Sequence, residues 1–249
     1  MLLQDLKILL KQKLKTHFEA VELSSIIGML IEEVSGWNRT QQIIHQNTLF
    51  NQAQVDQIQK YTEQLISGKP IQYILGKAWF MGQNFIVNEN VLIPRPETEE
   101  LVEWIISYAN IKNKTLSILD IGTGSGCISI TLKMALPHCE VSALDISKEA
   151  LKVAQLNANN LNVSVQWMEQ NILDTVALEN AYDIIVSNPP YIPIREKESM
   201  QKQVVNFEPS LALFVPDEDP LIFYRTIAKM AKQSLSKNGQ LFFEILSNQ

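Results

Sequence analysis

The residues best suited to chemistry form a short turn with the sequence Asn188, Pro189, Pro190 and Tyr191. The turn follows the apolar run at residues 182–187, which predicts a buried strand, and open α/β sheets bind ligands at the carboxyl ends of their strands. Because prolines lack a backbone N–H and are restricted in φ, the Asn188 side chain and the Asn188 and Pro189 carbonyls become fixed acceptors beside an aromatic ring. Such acceptors suit a planar NH2 group, with Tyr191 stacked on its plane and excluding water. The alternative is a proline-rich turn that only ends a strand.

A glycine-rich segment joins another predicted strand to its helix, and its candidate cofactor-binding residues are Gly122, Thr123, Gly124, Ser125 and Gly126. Glycines at alternate positions allow the backbone to pass close to a ligand, and the following helix offers free N–H groups. Asp145 ends the next predicted strand, where a carboxylate can accept hydrogen bonds from both hydroxyls of a ribose. Together these features predict a nucleoside-containing cofactor. For the glycines alone, a tight strand-to-helix turn is the alternative.

The spacing of the glycines indicates which cofactor is bound. A dinucleotide site has a similar outline, but its pattern is Gly-x-Gly-x-x-Gly, whereas this chain has Gly-x-Gly-x-Gly with Asp120 two residues before the first glycine. An acidic residue at that place disfavours a pyrophosphate and suits the amino group of a cofactor that carries no phosphate. The segment therefore predicts S-adenosylmethionine. Asn171, after a third predicted strand, is a candidate for pairing with the adenine edge, and capping of the next turn is the alternative.

Composition and charge limit the classes of function. The 249 residues are 46% hydrophobic and 19% charged, which is ordinary for a soluble globular protein. The formal charge of −6 disfavours non-specific binding to duplex nucleic acid, which needs a basic surface. Charge interrupts the apolar N-terminus and no apolar run is long enough to span a bilayer, so we expect a cytoplasmic protein without membrane contact. Cys127 and Cys139 indicate a reducing compartment, and the histidines lack a ligand-like spacing, so no metal site is expected.

The hydrophobic pattern changes along the chain and predicts three regions. Residues 1–68 carry apolar stripes at helical spacing and predict a small all-α bundle that docks the substrate. Residues 69–90 break this pattern and predict a linker with a short β-hairpin. In residues 91–249 predicted strands alternate with helices, which indicates a parallel sheet covered by helices.

Within residues 91–249 the pattern predicts five strands and the helices between them. The strands are expected at 116–120, 141–145, 163–168, 182–187 and 241–246, the helices around Leu101 and at 128–136, 147–160 and 220–235, and a turn at 237–239. The prolines of the segment 92–99 forbid a regular helical entry, and its acidic residues suit the first turn of the next helix. An extended segment here could equally cover a cofactor, which makes Glu97 and Thr98 weak site candidates.

The glycine segment, Asp145 and the turn at 188–191 resemble, in order and spacing, a class I S-adenosylmethionine-dependent methyltransferase that acts on a planar nitrogen. The segments 72–76, 92–99 and 243–245, with the helical N-terminal region, are similar more specifically to the peptide chain release factor glutamine N5-methyltransferases. The resemblance spans the whole chain and implies an α/β fold with a Rossmann-like sheet. It also implies methylation of the glutamine amide in the Gly-Gly-Gln motif of release factors, by a monomer without direct nucleic-acid contact.

The resemblance implies roles for individual residues. The glycine segment from Gly122 to Gly126, together with Asp145 and Asn188, would bind the cofactor. The turn from Asn188 to Tyr191 would hold the glutamine amide, and the catalytic residues within it would be Asn188, Pro189 and Tyr191.

The chain departs from the family pattern in two places. The family usually has an acidic residue and an aromatic residue where this chain has Asn171 and Ile172, which bears on the predicted adenine contact. Family members also continue beyond the fifth strand through another helix and two antiparallel strands. We therefore interpret the chain as shortened after the fifth strand.

Two other functions fit part of these features. A nucleic-acid adenine or guanine amino-methyltransferase would use the same turn on a flipped base. The acidic charge, and the lack of a basic stripe or a separate target-recognition insertion, disfavour that function. The other alternative is a non-catalytic remnant that only binds the cofactor.

Overall fold

The computed structural model describes residues 1–112, 114–178 and 181–245. The chain divides into two compact units, Met1–Leu75 and Gly76–Gln249. Each unit has a hydrophobic core of its own. Among the described helices, none combines the length and the apolar character needed to cross a bilayer.

The first unit is an all-α bundle, as predicted. Its helices are α1 (Leu3–Leu14), α2 (Ala20–Ser35), α3 (Arg39–Ile44), α4 (Gln52–Ile66) and α5 (Ile71–Leu75). Apolar residues at helical spacing, among them Leu6, Leu30 and Ile58, are at most 2% exposed and form its core. Asn38 and Asn51 begin α3 and α4 with capping boxes, so side-chain hydrogen bonds satisfy the free N–H groups at both helix starts.

The second unit is an α/β domain preceded by a hairpin. Its elements are β1 (Lys77–Phe80), β2 (Gln83–Ile86), α6 (Pro96–Lys112), β3 (Ser117–Ile121), α7 (Cys127–Ala135), β4 (Glu140–Asp145), α8 (Lys148–Asn160), β5 (Gln166–Glu169), β6 (Tyr182–Ser187), β7 (Ile192–Pro193), α9 (Lys202–Phe207), β8 (Phe214–Val215), α10 (Ile222–Ser234) and β9 (Leu235–Phe243). Residues 69–90, expected to be a linker with a hairpin, contain α5 and the antiparallel pair β1 and β2.

The central sheet has the strand order β5-β4-β3-β6-β9, and all its pairings are parallel. Successive residues of one strand enter different cores: Ile118 belongs to the core that contains α6 and α7, and Leu119 to the core that contains α10. The sheet is therefore buried on both faces, as its continuous apolar strands predict. The connection from β3 leads to β4 on one side, whereas β6 lies on the other side, so the topological switch point falls between β3 and β6.

Two predicted boundaries were wrong. The third strand of the sheet begins at Gln166 rather than at residue 163, because the Val163 N–H donates to the Ala158 carbonyl at 2.9 Å and still closes the end of α8. The fifth strand, expected from residue 241, begins at Leu235, because the expected turn at 237–239 is a bulge inside β9. Tyr182 pairs with Leu235 and Ile184 pairs with Gln240, so the intervening residues loop out while the ladder continues on both sides. Residue 246, the expected end of the fifth strand, lies outside the described residues.

Candidate active site

The carboxyl ends of β3 and β6 carry the two chemistry-bearing segments, and they flank the switch point of the sheet. The glycine loop follows β3, and Gly126 within it has φ +80°. A Cβ atom at Gly126 would lie 2.8 Å from Ile130 Cδ1 and 3.1 Å from Ala154 Cβ. Only glycine combines this backbone conformation with this close approach of the loop to α7 and α8.

Asp145, at the end of β4, holds the glycine loop in place. Its Oδ2 accepts a hydrogen bond from the Gly124 N–H at 2.9 Å, and its Oδ1 accepts one from the Ser147 N–H at 2.9 Å. Burial raises the pKa of this carboxyl group, and the backbone hydrogen bonds oppose that effect. A carboxylate has about four acceptor positions, so acceptor capacity remains for the hydroxyls of a ribose.

Asp120 lies behind the same loop and is fully buried. Its Oδ2 accepts hydrogen bonds from Thr123 Oγ1 at 2.6 Å and from the Ser129 N–H at 3.2 Å, whereas its Oδ1 has no hydrogen-bond partner within the described part of the chain. Burial raises its pKa to about 6 despite the hydrogen bonds from Thr123 and Ser129. Two carboxyl groups therefore lie at the loop, which makes it a poor cradle for a pyrophosphate and a suitable neighbour for an ammonium group.

Asn171 caps the 3₁₀ turn Ile172–Asp174. Its Oδ1 accepts from the Leu173 N–H at 3.0 Å, and its Nδ2 donates to Asp174 Oδ2 at 2.7 Å. The capping alternative is thus observed. Asn171 also lines the pocket described next, so its contact with an adenine stays a prediction.

One pocket brings together most of the predicted cofactor-binding residues. Gly122, Gly124, Asp145, Asn171 and Asn188 all line it. The other three, Thr123, Ser125 and Gly126, do not line it: Thr123 and Ser125 are 4% and 2% exposed and support the loop from behind. Much of the remaining lining is apolar and was not singled out in the sequence, and it includes Leu92, Ile146, Phe223 and Ile227.

The turn at 188–191 separates this pocket from a second one. The second pocket is lined by Asn188, Pro189 and Tyr191, by Arg95 and Glu244, and by the apolar residues Leu92, Ile192, Met200, Val204, Ala212 and Leu213. Asn188 and Pro189 line both pockets. Burial raises the pKa of the half-buried Tyr191, and the nearby charge of Glu244 adds to that effect. Asn188 was predicted to contact both cofactor and substrate, and Pro189 the substrate alone. With Leu92 and Ala212 they form the shared wall of the two pockets.

The Asn188 side chain is itself held by two other residues. Its Nδ2 donates to Thr98 Oγ1 at 3.3 Å, and Thr98 Oγ1 donates to Glu244 Oε2 at 2.6 Å. Burial raises the pKa of Glu244, and hydrogen bonds from Thr98 and Asn188 lower it. Thr98 was a weak candidate from the sequence, whereas Glu97, its neighbour, is exposed. Glu244 carried no signal of its own beyond its place in the segment 243–245.

An ion pair fixes the segment that precedes α6. Arg95 Nη2 lies 2.6 Å from Glu208 Oε1, and the side chain of Glu208 is only 2% exposed. Glu208 Oε2 also accepts from the Ile93 N–H at 3.3 Å. Because Leu92 and Arg95 line the second pocket, this pair fixes part of its wall. The sequence contains no periodic or spacing signal that would have joined two residues so far apart.

Comparison with known proteins gives matches over nearly the whole chain. A family model described as "Methyltransferase small domain" matches residues 105–207, and one described as "PrmC N-terminal domain" matches residues 9–76. The release factor glutamine methyltransferase of Flavobacterium psychrophilum is 47% identical over 98% of this chain and 87% of its own length. The protein of the same name from Bacteroides thetaiotaomicron is 40% identical over 95% of this chain and 84% of its own length.

The chain belongs to the release factor glutamine methyltransferase family. This family member is an S-adenosylmethionine-dependent methyltransferase, and the predicted family, fold class and cofactor are confirmed. Among solved structures, the S-adenosylmethionine-dependent methyltransferase of Agrobacterium tumefaciens superposes with a TM-score of 0.45 at 16% identity, over 69% of this chain and 53% of that one.

Proposed function

We propose that the protein transfers a methyl group from S-adenosylmethionine to the side-chain amide nitrogen of the glutamine in the Gly-Gly-Gln motif of peptide chain release factors. The names of the relatives given above include release factor glutamine. The observation that carries the proposal is the shared wall: Asn188 and Pro189 line both the pocket at the glycine loop and the pocket with Tyr191 and Glu244. Groups held in the two pockets would therefore lie on either side of the same two residues.

The chemistry expected of the turn follows from its acceptors. An amide nitrogen is a poor nucleophile because its lone pair is delocalised into the carbonyl group. If Asn188 Oδ1 and the Pro189 carbonyl each accept one N–H of the glutamine amide, the nitrogen is fixed in place and the positive charge that grows on it is stabilised. The ring of Tyr191 covers one face of the amide plane and leaves the other face open. The product cation is strongly acidic and loses its proton to water without a dedicated base.

The cofactor pocket contains groups of the types that S-adenosylmethionine requires. The bound cofactor supplies an electrophilic methyl group. Asp145 keeps acceptor capacity for ribose hydroxyls, and the buried charge of Asp120 favours an ammonium group near the loop. Asn171 lies at the edge of the same pocket, and we propose that it contacts the adenine.

We propose that the first unit docks the release factor, because its helices add surface but none of the candidate catalytic residues. On α1, Lys7 lies close enough to Lys11 and Arg39 that their charges lower its pKa, in addition to the larger effect of burial. We call Lys7, Lys11, Lys15 and Arg39 the basic surface. We further propose that the enzyme works as a monomer in the cytoplasm, on protein rather than on nucleic acid.

A methyl-transfer assay tests the proposal. Purified release factor is incubated with the enzyme and S-adenosylmethionine, and peptides of the Gly-Gly-Gln loop are examined by mass spectrometry. We expect the mass of one added methyl group on the glutamine, and none on a factor in which glutamic acid replaces that glutamine. Methylation of adenine or guanine in a nucleic-acid substrate, with none on the factor, would contradict the proposal and favour the amino-methyltransferase alternative. Tight binding of S-adenosylhomocysteine with no transfer to either substrate would favour a non-catalytic remnant.

A further inference from the structure

We propose that Thr98 and Glu244 are positioning residues that determine which end of the Asn188 side-chain amide faces the substrate. The inference rests on the proposed function, because it concerns the acceptor that the glutamine amide would meet. The inference adds Thr98, on α6, and Glu244, directly after β9, to the functional residues of the turn at 188–191.

The direction of the hydrogen bonds follows from the chemistry of the three side chains. An ionised Glu244 can only accept, so the single hydroxyl proton of Thr98 is directed to Glu244 Oε2 at 2.6 Å. The Thr98 oxygen must then accept, and Asn188 offers Nδ2 to it at 3.3 Å. If the amide of Asn188 turned over, its Oδ1 would face the Thr98 oxygen with no proton between them. The carboxylate therefore selects one of the two orientations of Asn188.

The positions of the three residues are held by regular structure. The Glu244 N–H donates to the Ser187 carbonyl at 3.1 Å. This bond extends the pairing of β6 with β9 by one residue, up to the positions of Asn188 and Glu244. The Tyr224 hydroxyl donates to the Glu244 carbonyl at 3.0 Å. Thr98 lies near the start of α6 and is 3% exposed, so little water competes for its hydroxyl group.

The orientation matters because the glutamine amide of the substrate brings two donors. Asn188 Oδ1 can accept one of them, whereas Asn188 Nδ2 would place donor against donor. With Nδ2 engaged by Thr98, Oδ1 is directed away from that contact. Removing the Thr98 hydroxyl group weakens the preference for one orientation, and replacing Glu244 by a side chain that can also donate allows the reverse orientation. Asn188 would then present an acceptor only part of the time.

Four variants test this inference. Thr98→Val removes the hydroxyl group at nearly constant shape, Thr98→Ser keeps it, and Glu244→Gln keeps the shape of the side chain but not its charge. Thr131→Val is the matched control, because Thr131 is 6% exposed and its Oγ1 has no hydrogen-bond partner among the described residues. For each variant, kcat and KM are measured on release factor, together with the melting temperature. The side-chain NH2 signal of Asn188 is followed by NMR in protein with isotope-labelled asparagine and assigned by its loss in Asn188→Ala.

We expect Thr98→Val and Glu244→Gln to lower kcat by about tenfold to a hundredfold, the effect of one hydrogen bond to a charged group, with little change in KM. Both variants should shift the Asn188 NH2 signal, and Thr98→Ser should restore both the signal and kcat. Thr131→Val should leave kcat and the Asn188 signal as in the wild type. These outcomes separate positioning from a general loss of stability.

Three results would overturn the inference. The first is a wild-type kcat in Thr98→Val or Glu244→Gln. The second is an unchanged Asn188 signal in either of these variants, and the third is an equal loss of kcat in Thr131→Val. Absence of transfer to release factor by the wild type would instead contradict the proposed function, while the NMR signal would still report whether Thr98 and Glu244 orient Asn188. If Thr98→Val does not fold, Thr98→Ser and Glu244→Gln still decide the question.

Discussion

The carboxylate of Asp145 accepts a hydrogen bond from the backbone N–H of Gly124 at 2.9 Å, and both residues line the pocket assigned to the cofactor. One side chain thus fixes the shape of the glycine loop and presents acceptors to the ligand. We expect Asp145→Ala to weaken binding of S-adenosylhomocysteine by about 1.5–3 kcal/mol, the usual contribution of hydrogen bonds to a charged group. Calorimetry measures this change, with NAD as the control ligand. Unchanged affinity in the variant, or measurable affinity of the wild type for NAD alone, would contradict the assignment of this pocket.

Asp120 should make the stability of the ligand-free enzyme depend on pH. Burial raises its pKa from 3.8 to about 6, so the folded state holds a proton that the unfolded state has already released. The free energy of unfolding should therefore fall as pH rises through this window, by about 3 kcal/mol as an upper value, and Asp120 should add no further change above it.

Denaturant titrations of the wild type and of Asp120→Asn across this pH range measure the effect. We expect the part of the slope due to Asp120 to vanish in the variant, which cannot titrate. The same slope in both proteins would show that other groups cause it.

Substitutions in the turn at 188–191 should distinguish residues needed for methyl transfer from residues that fix the backbone of the turn. Asn188→Ala should lower transfer by about 10²–10³-fold, the scale for the loss of one preorganised polar group. Its melting temperature should fall only slightly, because the lost contact with Thr98 is a single hydrogen bond. Pro189→Ala should affect stability and activity together.

Two substitutions of Tyr191 provide a matched pair of variants for the same turn. Tyr191→Phe keeps the ring and should have a mild effect, whereas Tyr191→Ala should be severe. Transfer assays and thermal melts on all of these variants give the comparison. Transfer near the wild-type rate by a well-folded Asn188→Ala enzyme would mean that the turn only ends β6.

Gly126 should tolerate no side chain. With φ +80° and Ile130 Cδ1 at 2.8 Å from the position of a Cβ, Gly126→Ala should destabilise the protein by more than about 1 kcal/mol. Gly28 is the control, because it lies inside α2 with nothing within 4 Å of a Cβ. Gly28→Ala should stabilise the protein by about 0.4–1 kcal/mol. Opposite signs in denaturant unfolding support the close approach at Gly126, and equal signs would contradict it.

The basic surface should influence binding of the whole release factor rather than the chemistry. Replacement of Lys7, Lys11 and Lys15 by glutamine should raise KM for the factor, more at low salt than at high salt, because exposed charges are screened. The kcat/KM for a short Gly-Gly-Gln peptide should stay constant. Equal losses on both substrates would contradict a docking role.

The sequence predicted the α/β order, the all-α first unit and the segments that meet at the carboxyl edge of the sheet, because strand and helix periodicity are local properties. The start of α8, with Ser147 as its N-cap, was also predicted, since a cap needs only neighbouring residues. The bulge in β9 was missed because it depends on pairing with Tyr182 and Ile184, which no local pattern in residues 235–240 reveals.

The candidate site was predicted in the same uneven way. The glycine loop, Asp145 and the turn at 188–191 each carry their signal in a few consecutive residues or in a regular spacing. The contacts of Thr98 with Asn188 and Glu244, and of Arg95 with Glu208, join residues more than 85 positions apart in the chain. Such contacts arise only when elements distant in the chain have packed, so the partners could not be predicted from the sequence.

The position of Asn188 and Pro189 between the two pockets has a thermodynamic consequence. Because the same two residues line both pockets, a ligand in one pocket can change the affinity of the other pocket for its own ligand. Thermodynamic linkage requires this influence to be reciprocal. If bound cofactor changes the affinity for the glutamine loop by some ratio, the bound loop changes the affinity for the cofactor by the same ratio. The same relation holds for the two products, the demethylated cofactor and the methylated release factor, with a coupling ratio of its own. The sign of that second coupling decides whether the two products promote or hinder each other's departure.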